Sequence, residues 1–339
     1  MRAKVTSHDV ATRAGVSRSA VNRVFTPGAS VSKRTAELVR RAAQDLGYRP
    51  NVLARSLRTG NSRIIGLMVA YLDNQFYPQA LETLSTALQA EGYHVLIFMA
   101  GNEDDPRHDV IEELLDYQVE GIIAASVGMS NTLTQRCEAA GIPIVLFNRG
   151  QADGQLSSVT SDNWAGGHAL ATFLAAGGHT RIAHIAGWEG ASTQLDREAG
   201  FAAGLAEAGQ SLFARAVANF KLDAAAQATR EMFATGPCPD AVFVANDHMA
   251  FAVMDVLRHE LGLSVPGDVS VVGYDDVALA SWPAYDLTTV RQPAHQMVER
   301  TVALLMARLE GADMPPQQIK IPGPLCVRGS ARKPEGHPA

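Results

Sequence analysis

The chain has 339 residues and a mass of 36.1 kDa, enough for two or three domains of roughly 100–200 residues each. With 47% hydrophobic and 19% charged residues it can build real cores, which excludes disorder over most of its length. The formal net charge of −6 conceals a split: residues 1–60 carry twelve Lys/Arg against Asp9, Glu37 and Asp45, a net +9, while the remainder carries 17 basic and 32 acidic groups, a net −15. A small basic head on a large acidic body is the asymmetry of a nucleic-acid contact grafted onto another function.

Met1 to Ser7 is polar with no apolar core of a secretory signal, and no uninterrupted apolar run approaches the ~18–20 residues of a membrane span. Cys137, Cys238 and Cys326 stand at unrelated spacings, with neither a metal pattern nor a disulfide framework, so reduced thiols are expected. The expectation is a soluble, cytoplasmic protein without a membrane partner, metal or cofactor.

Thr6 is a good N-cap with Asp9 three residues on, a short variant of the capping box. Val10, Ala11 and Ala14 follow at helical spacing, and Gly15 can end the helix in the left-handed conformation. Ser17 caps a second helix whose buried stripe is Ala20, Val21 and Val24. Two short helices around one glycine are the helix-turn-helix signature. Arg18, Ser19, Asn22 and Arg23 lie off that stripe, near the end that meets base edges in the major groove. Arg suits guanine and Asn suits adenine in bidentate fashion. A third helix starts at Ser32, carries Leu38, Val39, Ala42 and Leu46 on one face, and stops at Gly47. In residues 50–60, Asn51 caps about two helical turns before Gly60, too few to hold in water without support.

The run Val10-Ala11, Ala14-Gly15-Val16-Ser17 and Val21-Asn22-Arg23-Val24, followed by Leu46-Gly47-Tyr48-Arg49-Pro50-Asn51 and Ala54-Arg55-Ser56-Leu57, resembles the head and hinge of the lac repressor/purine repressor (LacI/GalR) family. The resemblance implies that residues 51–58 fold into a hinge helix on operator DNA. It also implies that Leu57 wedges into a minor-groove step beside the same residue of a partner subunit, kinking the duplex. The DNA-contact set is then Ser17, Arg18, Ser19, Asn22 and Arg23 in the second helix, with Asn51, Ala54, Arg55 and Leu57 in the hinge. Two positions depart from the family: Ala20 stands where Thr is usual, and Asn22 where Ser is usual. The operator sequence cannot therefore be copied from a relative.

From Arg63 onward short β-branched runs alternate with amphipathic helices. Strands are expected at Ile64–Val69, Val95–Ala100, Gly121–Ala125, Ile144–Phe147, Ile182–Ile185, Ala241–Ala245 and Val269–Tyr274, and a helix over Gln79–Glu91. This alternation indicates βαβ units and parallel sheets. No GxGxxG follows the first strand and no GxxxxGK[ST] occurs, so no nucleotide cofactor is indicated. A body this long suits two lobes facing a cleft, with ligands at the carboxyl ends of the strands. Those ends read Asp73-Asn74-Gln75-Phe76-Tyr77, Asn148-Arg149, Asp162-Asn163, Asn246-Asp247 and Asp275-Asp276, and a loop adds Ser192-Thr193 and Asp196-Arg197. Singly, each is an ordinary turn residue or helix cap. Their repetition, with Phe76, Tyr77, Trp164, Phe220 and Trp282 near in sequence, suits a polyhydroxylated ligand.

Ala245-Asn246-Asp247, the run Pro266–Asp276, and Leu287-Thr288-Thr289-Val290 with Gln292-Pro293 extend the resemblance over nearly the whole chain. They are similar to the effector domain of the same family, itself similar to periplasmic sugar-binding proteins. The likeness carries effector hydrogen bonding to Arg197, Asn246 and Asp275 and aromatic stacking to Phe220, with Phe76, Arg149, Asp162 and Thr193 as further contacts. Ala191 stands where purine-responsive members carry an arginine, which favours a sugar, sugar acid or related polyol. Arg149 and Arg197 together would tolerate a carboxylate or phosphate.

The expected architecture is α/β: a helix-turn-helix head (1–49), a hinge helix or linker (50–60), a two-lobed periplasmic-binding-protein-like body of parallel sheets (61–330) and a loose tail (331–339). The expected function is an allosteric repressor, a homodimer on a pseudo-palindromic operator, with the sign of the effector's action open. Two rivals share the body: a sugar-binding protein of a transporter, and a sugar-processing enzyme. For the second, adjacent Asp275 and Asp276 point to opposite sides of an extended segment and cannot act on one bond. His94, His179, His184 and His248 lack a nucleophile or metal partner at readable spacing.

Overall fold

The computed structural model describes residues 5–26, 29–49, 62–100, 110–127, 131–151 and 153–336. They fall into two compact units, Met1–Ser62 and Arg63–Ala339. The hinge segment, with Asn51, Ala54, Arg55 and Leu57, lies outside the described residues.

Among its described residues the head has three helices, α1 (Ser7–Ala14), α2 (Arg18–Val24) and α3 (Lys33–Leu46). Each starts on a hydroxyl cap: the side chains of Thr6, Ser17 and Ser32 accept from Asp9 N, Ala20 N and Thr35 N. Asp9 returns the bond by accepting from Thr6 N at 2.8 Å, so the capping box is complete. These bonds hold the Asp9 carboxyl below its ordinary range. Gly15 and Gly47, both at φ 66°, end α1 and α3 in the conformation that costs glycine least. Val10, Val21 and Val39, one from each helix, are wholly buried at the centre.

The body has two six-stranded sheets. The first lobe holds β1 (Ile64–Val69), β2 (His94–Met99), β3 (Gly121–Ala125), β4 (Ile144–Phe147), β5 (Ser157–Ser161) and β11 (Gln318–Ile321), in the order β11-β5-β4-β3-β1-β2 and parallel throughout. The second holds β6 (Ile182–Ala186), β7 (Ala214–Val217), β8 (Ala241–Val244), β9 (Ser270–Asp275), β10 (Thr288–Arg291) and the antiparallel edge β12 (Leu325–Cys326), in the order β12-β10-β9-β8-β6-β7. The helices are α4 (Phe76–Ala90), α5 (Val110–Asp116), α6 (Asn131–Ala139), α7 (Asn163–Ala176), α8 (Ser192–Glu207), α9 (Leu222–Ala234), α10 (Asp247–Asp255) and α11 (Ala294–Leu309). The chain passes between lobes after β5, after β10 and after β11.

The central strands β1, β3, β4, β6, β8 and β9 are buried along their whole length, as sheets covered on both faces require. Five strands have no expected counterpart: β5, β7, β10, β11 and β12. β5 reads Ser-Ser-Val-Thr-Ser, without an apolar run, yet all five residues are buried. Its hydroxyls are paired instead: Ser157 Oγ accepts from Gln317 N at 3.1 Å, and Ser158 Oγ meets Gln318 Oε1 of β11. α4 begins three residues before the expected start, because Asn74 Oδ1 accepts from Phe76 N and Pro78 fits a first turn. The chain is not loose from residue 331 onward as expected. Ala331 is buried and Arg332 N donates to Ser270 Oγ at 2.9 Å, so the packed body runs past Ser330.

Candidate functional site

On the head, α2 presents Arg18, Ser19 and Arg23 to solvent beside its cap Ser17, while Asn22 is half-buried. Arg18 Nε donates to Ser7 Oγ at 3.1 Å, which ties the start of α2 to α1 and partly commits that side chain. Arg13 and Asp45 bridge α1 to α3 at 3.5 Å. Lys33, Arg34, Arg40 and Arg41 stand exposed on α3. A surface with this density of positive charge suits the phosphates of a duplex.

On the body, the carboxyl ends of the strands of the two lobes meet across a cleft. Asn74 Nδ2 after β1 donates to Asp275 Oδ2 at the end of β9, at 3.2 Å. Gly150 N after β4 donates to Ser192 Oγ of α8 at 3.0 Å, and Lys320 pairs with Asp196 at 3.1 Å. His248 Nε2 lies 3.7 Å from Asp73.

The centre of the cleft is Arg197, 3% exposed. Its Nε donates to Asn163 Oδ1 at 2.9 Å, Nη1 to Ala245 O at 2.7 Å, and Nη2 reaches Asp275 Oδ1 at 3.5 Å. The guanidinium lies over the Tyr274 ring, 3.7 Å from its centroid. Asp275 also accepts from Gln292 Nε2 at 2.7 Å. Burial pushes the Asp275 carboxyl up, and Arg197 with the donors Asn74 and Gln292 pulls it back. Asp275 and Asp276 occupy consecutive positive φ of 126° and 57°. Asp276, clamped by Arg291 at 2.6 Å and Arg328 at 2.5 Å, fixes that turn. Asp247 lies behind, taking Thr289 Oγ1 at 2.6 Å and Val277 N at 3.0 Å. Burial first, then the charge of Asp275, push its carboxyl up to about 7.

Glycines set these positions. Cβ atoms added at Gly167 and Gly200 would stand 2.1 Å from Arg197 O and 1.9 Å from Trp164 O, so only hydrogen allows α7 and α8 to cross this closely. That crossing delivers Arg197 to Asn163. Gly187 makes room likewise for Phe220, whose ring would stand 2.1 Å from an added Cβ and whose φ is 60°.

Of the residues singled out from the sequence, Arg197 and Asp275 are in direct contact, and Arg149, Thr193 and Phe220 stand buried on the loops and helix ends around them. Asn246 and Asp162 act as helix caps: Asn246 Oδ1 accepts from Met249 N and Asp162 Oδ1 from Ala165 N, both at 3.0 Å. Asn246 keeps an amide donor; Asp162 keeps a second carboxylate oxygen. Phe76 packs in the first lobe's core, stacked on Phe147 with centroids 6.3 Å apart. Trp164 and Trp282 are largely exposed, Trp164 stacking on His168. Asn74 and Asn163, expected at strand ends, contact Asp275 and Arg197, and Trp188, Tyr274 and Gln292, not singled out as contacts, also shape the cleft. Gln292 follows β10 as Asn246 follows β8, so the strand-end rule finds it once β10 is recognised.

Four buried polar atoms around this cleft have no hydrogen-bond partner among the described residues: Asn148 Oδ1, Arg149 Nε, His248 Nε2 and Gln292 Oε1. Asn148, Arg149 and Gln292 directly follow strands and His248 lies in the first turn of α10, so each lobe supplies two. Buried polar groups are rarely left unpaired, and each of these atoms can make a hydrogen bond to a group outside the chain. A cavity of about 370 Å³ opens beside the cleft, with Asn74, His248, Asp223, Phe251 and Tyr285 among its walls. Among the described residues no cluster of His, Cys, Asp and Glu could hold a metal ion, and no helix is long and apolar enough to cross a membrane.

A helix-turn-helix head followed by a two-lobed, ligand-cleft body defines a DNA-binding transcriptional regulator governed by a small molecule. Residues 6–51 match the model of bacterial regulatory proteins of the lacI family, and residues 171–331 match a periplasmic binding protein-like domain. The chain belongs to the lacI family. It is 30% identical to the HTH-type transcriptional repressor PurR of Vibrio vulnificus over 97% of this chain and 99% of that protein. It is 34% identical to the HTH-type transcriptional regulator CelR of Thermobifida fusca, again over 97% and 99%. Among solved structures, a lac repressor dimer bound to operator and an anti-inducer superposes with a TM-score of 0.85 at 28% identity, covering 97% of this chain and 99% of that one.

Proposed function

We propose that this regulator is a cytoplasmic repressor without enzymatic activity, acting as a homodimer on a pseudo-palindromic operator, and that a carbohydrate-like effector in the body's cleft sets its operator affinity. The observation that carries this reading is the buried Arg197–Asp275 pair, tied across the lobes by Asn74, with unpaired buried polar atoms of Asn148, Arg149, His248 and Gln292 on the cleft-side ends of both lobes. A polyol's hydroxyls supply both donors and acceptors and would complete all four. In this reading Arg197, Asp275, Asn246, Thr193 and Asp162 bind hydroxyls, Phe220 stacks on the sugar face, and Phe76 shapes the floor from within the core. Arg18, Ser19, Asn22 and Arg23 read bases, Ser17 holds the recognition helix, and Asn51, Ala54, Arg55 and Leu57 serve the hinge.

Support for a carbohydrate comes from a relative: the transcriptional regulator CelR–cellobiose complex is 32% identical with a TM-score of 0.70, covering 96% of this chain and all of that one. The ligand must favour one arrangement of the dimer, since a ligand indifferent to arrangement shifts nothing. The test is fluorescence anisotropy with DNA flanking the coding region, titrated across neutral sugars and sugar acids. A ligand that shifts affinity without being consumed supports the reading. Turnover of a sugar by the purified protein overturns it.

A further inference from the structure

We infer that the cleft takes an anionic polyol, a sugar carboxylate or sugar phosphate, with its negative group on Arg149. The inference rests on the effector reading above and narrows the ligand class. Arg197 is spent: three groups accept its hydrogen bonds, and Asp275 neutralises it. Asp276 is held between two arginines, and His248 faces Asp73.

Arg149 is different. It is 8% exposed, its Nε is buried without a hydrogen-bond partner, and it forms no ion pair among the described residues. Its guanidinium rests on the Trp188 ring, 5.2 Å from the centroid. A ring face attracts a cation but does not neutralise it. The residue before it in the chain is an amide: Asn148 gives its Nδ2 hydrogens to Tyr77 Oη at 3.1 Å and brings no charge. A buried guanidinium without a carboxylate is a costly arrangement, and a ligand anion would remove that cost.

The surroundings are made for the same guest. Gly150 N donates to Ser192 Oγ, which brings the strand end carrying Arg149 to the first residue of α8. This sixteen-residue helix has Ala191 as its N-cap and no side-chain cap, and Thr193 and Gln194 of its first turn are buried. First-turn N–H groups and the positive end of the helix dipole favour an anion, and the planar Arg fork matches carboxylate or phosphate oxygens in pairs. The hydroxyl tail of the ligand then extends toward Asp275 and Gln292.

The test is calorimetric titration of the full chain with matched pairs: glucose against gluconate, glucuronate and glucose 6-phosphate; galactose against galacturonate; ribose against ribose 5-phosphate. At least one anionic member should bind about tenfold or more tightly than its neutral partner, and the carboxylate and phosphate arms separate the two sources of charge. Arg149→Gln should bring that ratio to about one, while Arg149→Lys, which keeps the charge, should restore part of it. Neutral sugars binding as tightly as their acids, or an anion preference that persists in Arg149→Gln, overturns the anion inference and leaves the effector reading standing. No binding by any member of the panel, neutral or charged, refutes both.

Discussion

Arg197→Lys is the sharpest probe of the cleft's construction. Arg197 makes three polar contacts through three different nitrogens, to Asn163, Ala245 and Asp275, and lies flat on Tyr274. One ammonium cannot reach acceptors spread along that fork, nor stack on a ring as a guanidinium does. Keeping Asp275 as its partner leaves Asn163 Oδ1 and the Ala245 carbonyl buried and unmet. Each unmet acceptor costs about 1–3 kcal/mol, so the body should lose about 2–6 kcal/mol of stability. At roughly 2–4 °C per kcal/mol for a unit of this size, differential scanning calorimetry should show its transition falling by about 4–24 °C. The head's far-ultraviolet signal and non-specific DNA binding should stay unchanged. A variant that melts within about 1 °C of the wild type would mean that solvent already shares these contacts, and the picture of a dry, neutralised centre would be wrong.

Gly200→Ala sets a methyl group 1.9 Å from the Trp164 carbonyl, where no side-chain rotation gives relief; a loss of about 1–3 kcal/mol in denaturant unfolding is expected, with weaker effector binding because Arg197 moves with α8. Asp247 titrates near 7 in the folded chain, above its ordinary 3.8, so the folded state keeps a proton that the unfolded chain has released, and stability falls as pH rises across that interval. Asp247→Asn, neutral throughout, should flatten the fall, read as denaturation midpoints at about pH 5 and about pH 8; a fall that persists in the variant assigns the effect to another group. In the head, Arg23→Ala should weaken binding to the preferred operator by about 1–3 kcal/mol with little effect on unrelated DNA. Equal loss on both duplexes would make Arg23 a phosphate contact.

The helices of the head were readable because their signals are local, although Leu38, expected on the packed face of α3, is exposed. Thr6, Ser17 and Ser32 cap, Gly15 and Gly47 stop, and Val10, Val21 and Val39 repeat at helical spacing. The body's central strands were equally plain as apolar runs. β5 was not, since Ser157–Ser161 is buried by virtue of its neighbours and hydroxyl partners rather than by its own hydrophobicity. The strand-end rule brought out Asn74, Arg149, Asn246 and Asp275. It could not tell that Asn246 and Asp162 would divide their side chains between cap and cleft, because both roles call for the same short polar groups. Arg197 has no local signal; its place follows from a helix crossing allowed by Gly167 and Gly200, separated by more than thirty residues in the chain. Gln292 was missed because a four-residue strand with an exposed final Arg291 announces little.

The most direct measurement is operator affinity of the full chain, by anisotropy on a site selected from random duplexes, with and without the ligand found by titration. A saturating ligand should change the dissociation constant at least about tenfold, a coupling of about 1.4 kcal/mol or more, and Arg197→Lys should abolish most of that change. Identical operator affinity with the cleft empty and filled would contradict the proposal that this cleft governs the head.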